Sequence, residues 1–362
     1  FHHLKSPENL SRQWGALHLT SATYDANTGV LVVTGTGLLK LSGADNDVNV
    51  AKLTLTGEGG STHTLTSTSV EITSGTAFSV TLNSADKKAV NLILNKDGTI
   101  SSDSTTYNLA GAEDWASGAD ASVTVADLTG NGITVSNAGD ATKSTLTPGT
   151  ATITANGTST QVLTVTAKDA NGNTLTSGGS TVTITKSSGS GTIGTVTDNS
   201  NGTYTATVTA PTASGSGVFV ATLGGAAVKG GSANQTQATI TYAPGVPTAD
   251  QSTVSASPSS VTADGTTTST VTVTLKDANS NAVSGKTVAL AKTSGTGTPT
   301  ISNASGASDA SGVVTFTVKS TVAGAFVFTA TDTTDTVTVT QTATVTFTAG
   351  TPTAGQSTLS AS

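Results

Sequence analysis

Cysteine and methionine are both absent from this chain. Thiol nucleophiles, thiolate metal sites, disulfide staples and sulfur oxidation are therefore excluded. Arginine occurs once, at Arg12, and charged residues make up 10% of the sequence, against roughly 25% in an ordinary globular protein. The formal net charge is −7, with no cluster of lysines. Binding to nucleic acid needs clustered Lys and Arg that release counterions from phosphates, so that partner is excluded. All four histidines (His2, His3, His18, His63) lie within the first 63 residues, and no glutamate follows Glu113. A Ser-His-Asp arrangement therefore cannot be built from the later two thirds of the chain. No run of 18 apolar residues occurs, so no helical membrane span is expected. Phe1–Pro7 lacks the apolar core of a signal peptide, which suggests a processed product or a piece of something longer.

Thr, Ser, Ala, Gly and Val dominate what is present. The branched carbons of Thr and Val fit a pleated surface, and the Thr hydroxyl tolerates water on the outer face. At 362 residues the chain suits two to four domains of ordinary size. Internal similarity then sets the frame. Leu163–Asn173 (LTVTAKDANGN) recurs as Val271–Asn281 (VTVTLKDANSN), and Pro247–Thr253 (PTADQST) recurs as Pro352–Thr358 (PTAGQST). Two complete units of about 105 residues and the opening of a third are visible.

Within the first unit, strands are expected over 151–154, 161–167, 181–186, 202–209, 217–223 and 238–242. Gly, Asn, Asp and Ser separate them, as turn chemistry requires. Asp169–Asn173 and Asp277–Asn281 fall directly after a strand, where Asn and Gly accept positive φ. Six or seven short strands in about 100 residues is the pattern of a Greek-key sandwich, so two β-sandwiches are expected over Ser144–Gly350.

The units resemble the bacterial immunoglobulin-like repeats (group 1) of intimin- and invasin-type cell-surface adhesins. The residues that carry the resemblance are Ser252–Gly285 (STVSASPSSVTADGTTTSTVTVTLKDANSNAVSG) and Gly312–Thr331 (GVVTFTVKSTVAGAFVFTAT). The first unit keeps Thr154–Gly157 and the KDANGN turn. The resemblance implies an extracellular location at the bacterial surface and a mechanical role in a projecting rod. The family's outer-membrane barrel and lectin-like tip have no counterpart in this sequence, so the binding target stays open.

The expected architecture is all-β, an elongated array of tandem immunoglobulin-like Greek-key sandwiches behind a β-rich N-terminal domain with a short helix. The divisions are 1–20, an extension or the end of a preceding domain; 21–140, an Ig-like domain with a helical insertion; 141–246 and 247–351, the two repeats; and 352–362, the start of another. In the N-terminal domain, 24–35 reads as a turn followed by a strand, and 52–56, 63–66, 69–73 and 78–82 read as strands. Ser84–Lys96 is the helix candidate, with Ser84 as its cap and Val90, Leu92, Ile93 and Leu94 as its apolar bulk. A second short helix is expected at Ala112–Ala116. Phe1–Leu19 is apolar enough to pack, or to be donated as a strand to another subunit.

No catalytic, cofactor-binding or metal residue is assigned. Asp169, Asp264 and Asp277 sit where Asp caps backbone amides in turns. Gly189–Gly194 matches GxGxxG, but strand and turn residues follow it where a nucleotide site needs a helix. His2, His3 and His18 show no ligand spacing. Asp45, Asn46, Asp47 and Asn49 form an oxygen-rich loop, and calcium is a candidate ion here or at the domain junctions. Lys168 and Lys276 are placed to discourage edge pairing. Proline restricts the junctions Ala243–Gln251 and Thr348–Gln356 to short, semi-extended links.

The resulting expectation is a non-enzymatic structural or adhesive stalk of a cell-surface or secreted bacterial protein. Its partners would be other copies of itself or a ligand on a host or neighbouring cell. A self-assembling filament or surface-layer subunit is the alternative, and accessory domains of a secreted carbohydrate-active enzyme the second. Both tryptophans, Trp14 and Trp115, lie outside the repeats, which leaves few sugar-stacking platforms there.

Overall fold

The computed structural model describes residues 17–119 and 122–360. Most of the Phe1–Leu19 segment, with His2, His3, Arg12 and Trp14, lies outside the described residues. The chain divides into two compact units. Unit 1 holds the N-terminal domain and most of the first repeat, and unit 2 holds residues 152–160, 209–216 and 241–362.

The N-terminal domain is built on one eight-stranded sheet. Its strands are β1 (His18–Asp25), β2 (Val30–Thr36), β3 (Leu53–Thr56), β4 (Thr62–Thr64), β5 (Ile72–Ser74), β6 (Ala77–Thr81), β7 (Asn108–Gly111) and β8 (Gly132–Ser136). Their order across the sheet is β4-β3-β7-β8-β1-β2-β6-β5. β1 and β8 run parallel, whereas β1 and β2 form an antiparallel hairpin with a register shift between Leu19 and Ser21. Alternation drives these strands: Leu31 and Val33 of β2 point inward while Val32 and Thr34 face out. The hairpin turn follows from Asp25, whose Oδ1 accepts the amides of Asn27 and Thr28, and from Gly29 at φ +78°. Tyr24 therefore belongs to the strand and not to the turn.

Helix α1 (Ser84–Ile93) packs Val90 and Ile93 into the same core as Tyr24, Phe78 and Trp115. Its cap is Asn83 rather than Ser84, because the Asn83 side chain accepts the Asp86 amide at 2.8 Å. The helix ends at Ile93, short of the expected Lys96, with Leu94 as its C-cap, and Leu92 stays exposed. The segment Ala112–Ala116 is a turn and not a helix. Asp114 there takes φ +65°, which breaks helical geometry and lets Trp115 swing inward. Trp115 is fully buried, stacks on Phe78 at 6.1 Å and donates its indole N–H to Val125 O at 2.8 Å. It is a core residue, not a ligand platform.

The second repeat, in unit 2, is a two-sheet sandwich. One sheet orders Thr253–Ser257, Ser269–Thr274, Val313–Lys319 and Thr300–Ile301. The other orders Ser260–Thr262, Ala343–Thr348, Gly324–Asp332 and Val288–Ser294. The chain changes sheet between Ser257 and Ser260, so that Ser260–Thr262 pairs parallel with Ala343–Thr348 and every other pairing just named is antiparallel. Strict alternation in Ser269–Thr274 sends Val271 and Val273 inward, where Phe326, Phe328 and Phe347 meet them. Phe326 and Phe347 pack edge-to-face at 5.4 Å.

The first repeat uses the same scheme. Thr192–Ile193, Thr203–Thr209, Thr160–Thr166 and Thr145–Thr147 form one sheet. In the other, Val182–Gly189 pairs antiparallel with Gly215–Leu223. The expected strands are present within a few residues at each end. The strands Thr145–Thr147, Thr192–Ile193, Thr197–Asp198 and Ala226–Ala227 were too short to register as patterns.

Candidate functional site

The loops Asp169–Asn173 and Asp277–Asn281 are built from the same interactions. Asp277 Oδ1 accepts the amides of Asn279 and Asn281 at 2.9 and 2.8 Å, and Asp169 Oδ1 does the same for Asn171 and Asn173. The tight return needs one left-handed residue, Gly172 at φ +87° and Ser280 at φ +66°. Burial would raise both carboxyls, yet both stand below the usual carboxylate range. The hydrogen bonds that outweigh burial come from the Asn173 or Asn281 side chain and from backbone amides. Both loops are thus rigid anionic clips. The expectation that these aspartates serve turns holds, and Asp264 likewise caps Thr266 and Thr267.

In unit 2 the clip has a second set of partners. Asn281 Nδ2 donates to Thr212 O and its Oδ1 accepts the Ser214 amide, both at 2.8 Å. Asn279 Nδ2 donates to Ala155 O at 3.3 Å, and Asp277 Oδ2 accepts the Gly245 amide at 2.8 Å. The loop therefore grips two turns, around Ala155 and around Thr212–Ser214, and the incoming link at Gly245. Every atom it grips on these two turns and at Gly245 belongs to the backbone, while the Ser280 hydroxyl donates to Gln251 Oε1 further along the link. Lys276 holds the rest of the link, since its carbonyl accepts the Thr248 amide and its own amide donates to Ser252 Oγ. Lys168 and Lys276 take part in bridges to Thr174 and Ala282, so their backbones help close these loops.

Unit 1 contains a junction of different chemistry. Asn27 Oδ1 accepts the Thr176 amide and hydroxyl, at 2.8 and 3.1 Å. Asn91, on α1 and nearly buried, donates to Ala26 O and Gly178 O and accepts the Tyr24 hydroxyl at 2.7 Å. Burial, with the Asp25 charge nearby, raises the Tyr24 hydroxyl far above its usual range, so it stays a neutral donor. Gly179, at φ +106°, lies so close to Lys88 O and Asn91 that no side chain fits. Lys88 pairs with Asp198 at 3.3 Å. Asp97 faces this region with its carboxyl raised, by burial first and then by the charges of Asp169, Asp140 and Asp25. An open groove of about 700 Å³ runs past Asp97, Asp140, Ala170 and Leu223.

The other sequence candidates fall into structural roles. Gly189–Gly194 carries the chain from strand Val182–Gly189 of one sheet to Thr192–Ile193 of the other, and its Gly191 carbonyl accepts Lys186 Nζ at 2.9 Å; strands, not a helix, follow it. His18 contacts Asp127 at 3.4 Å and His63 contacts Asp86 at 3.0 Å. Asp47 is buried and gives one carboxylate oxygen to the Leu41 amide and the other to the Ile72 amide. Among the described residues no group of three or more His, Asp or Glu is placed to hold a metal ion. Nor is any helix there long and apolar enough to cross a membrane.

Sequence reasoning missed the junction roles of Asn27, Asn91, Asn279 and Asn281. One signal was available: Asp-Ala-Asn occurs at 25–27, 169–171 and 277–279. Its first and third copies each lend an Asn to a junction. Asn91 carried no signal, because its partners are 65 and 87 residues away in the chain.

The family model described as invasin, domain 3, matches residues 140–245 and 248–350. No curated protein matches the chain. The solved structure of Yersinia pseudotuberculosis InvD is 30% identical over 61% of this chain and 62% of its own, with a TM-score of 0.45. That of invasin, described as a bacterial integrin-binding protein, is 18% identical over 92% of this chain and 60% of its own, with a TM-score of 0.52. FdeC, an Escherichia coli adhesin, is 18% identical over 92% of this chain and 99% of its own, with a TM-score of 0.45. The chain thus spans about three fifths of the length of the first two.

Proposed function

The chain belongs to the invasin domain 3 family of bacterial immunoglobulin-like adhesin domains, and on that premise we propose that it forms the structural and adhesive stalk of a bacterial surface protein. The observation that carries this reading is the pair of tandem repeats with a junction clamped through Asp277, Asn279 and Asn281. A clip that holds the preceding sandwich by backbone atoms only transmits force to it without depending on its surface sequence. Tandem sandwiches joined this way behave as a quasi-linear array. The stalk stands at the outer face of the cell and carries a contact to a ligand on a host or neighbouring cell, the role suggested by the integrin-binding description of invasin.

The stalk performs no catalysis. The aspartates of the repeats described above are engaged in turn and junction hydrogen bonds, which supports that reading. It also needs no bound cation, because the buried acid of the oxygen-rich loop already holds two amides. Addition of calcium, or of a chelator, leaves the melting temperature of the purified chain unchanged; an increase of several degrees with calcium would restore the loop as a metal site. Negative-stain electron microscopy tests the stalk itself. Separate, extended particles a few domains long are expected, whereas ordered filaments or lattices would make self-assembly the function instead.

A further inference from the structure

We propose that the loop end of the second repeat formed by Thr262–Gly265, Ser320–Gly324 and Gly350 is a preformed socket for the Asp-Ala-Asn-x-Asn loop of a further repeat. That repeat would continue from Pro352–Thr358, which restates Pro247–Thr253. The inference rests on the stalk reading and names the partner at one surface of it.

The filled socket in unit 2 is held in shape by two backbone bonds. The Ala155 amide donates to Ala243 O at 2.8 Å, and the Gly157 amide donates to Pro211 O at 3.2 Å. Both recur one repeat later. The Ala263 amide donates to Thr348 O at 2.8 Å, and the Gly265 amide donates to Ser320 O at 3.0 Å. The side-chain cap of the turn recurs as well: Asn156 Oδ1 accepts the Thr158 and Ser159 amides, and Asp264 Oδ1 accepts those of Thr266 and Thr267.

The link enters each socket in the same way. A Cβ built on Gly245 would lie 3.7 Å from Thr154 Cγ2, and one built on Gly350 would lie 3.7 Å from Thr262 Cγ2. The neighbouring turn is in place too, since Gly157 faces the Thr212 methyl and Gly265 faces the Thr321 methyl. The strands that leave these turns, Gly215–Leu223 and Gly324–Asp332, have equal length, and each begins on a glycine of positive φ.

With that register, the three atoms gripped by Asn279 and Asn281 have counterparts. Ala155 O corresponds to Ala263 O, Thr212 O to Thr321 O, and the Ser214 amide to the Ala323 amide. Thr321, Val322, Ala323 and Gly324 are exposed. Because Asn279 and Asn281 grip the preceding repeat by backbone atoms only, the changes at these side chains between repeats do not alter the fit.

The test compares hydrogen exchange in the full chain and in a chain extended after Thr351 by a copy of residues 247–362. The Ala323 amide is expected to exchange at least about tenfold more slowly in the extended chain. Asn281→Ala in the appended copy alone returns it to the original rate, while exchange at the copy's core strands reports that the copy is folded. In the original chain the same substitution speeds exchange of the Ser214 amide. Equal Ala323 rates with and without the appended repeat, or an Ala323 rate indifferent to Asn281→Ala in a folded copy, overturns the socket. Extended particles in micrographs alongside such a result would leave the stalk reading standing and remove only the socket.

Discussion

At the scale of single residues, this molecule places its few carboxylates as acceptors for backbone amides. Asp86 is the most heavily used. It is fully buried and accepts the amides of Thr66 and Ser67, both of their hydroxyls and the His63 ring nitrogen. Burial would raise its carboxyl, but Ser67, His63 and Thr66 together hold it below the usual range. Asp86→Ala strands several buried donors at once, so a loss of about 3 kcal/mol is expected in urea unfolding of the N-terminal domain. Loss of less than about 1 kcal/mol would mean that water replaces the carboxylate there.

At the scale of elements, the sandwiches depend on glycines where one strand must pass close to another turn. Gly202 and Gly312 hold the same place in the two repeats, at φ +81° and +77°. A Cβ on either would collide with a backbone carbonyl, Leu175 O or Leu275 O. Gly285 also has positive φ, +76°, but nothing lies near its missing side chain. Gly285→Ala should therefore show only the conformational penalty of about 1 kcal/mol. Gly312→Ala should exceed it by at least about 1 kcal/mol, as measured by chemical denaturation of the two variants. Equal losses would show that the Leu275 turn yields easily.

At the scale of the whole molecule, the acid response follows from the depressed carboxylates. Asp86, Asp169 and Asp277 all stand lower in the folded chain than in the unfolded one. Such groups stabilise the fold above their unfolded value of about 3.9, and the contribution disappears as pH falls through the folded value. Asp97, which is raised, acts in the opposite sense and is relieved on acidification. Asp103, Asp264 and Asp335 also stand lower, so six lowered carboxyls outweigh one raised one and unfolding midpoints should fall below about pH 4. A midpoint that rises on acidification below pH 4 would mean that repulsion around Asp97 dominates.

The sequence by itself determined the class of fold and the repeat. Alternating Val and Thr set strands at a period of two, and the KDANGN and KDANSN stretches marked the turns, both of which are local properties. The helix was legible to its start, but its true cap, Asn83, was visible only once the Asp86 amide was positioned. Ala112–Ala116 misled because a left-handed Asp114 and a buried Trp115 are decided by the core and not by helix propensity. The junction roles of Asn27, Asn91, Asn279 and Asn281 were decided by the tertiary structure, with the recurring Asp-Ala-Asn the one hint in the sequence. Each meets partners many residues away in the chain, and most of those partners are backbone atoms, which leave no mark in the side-chain sequence.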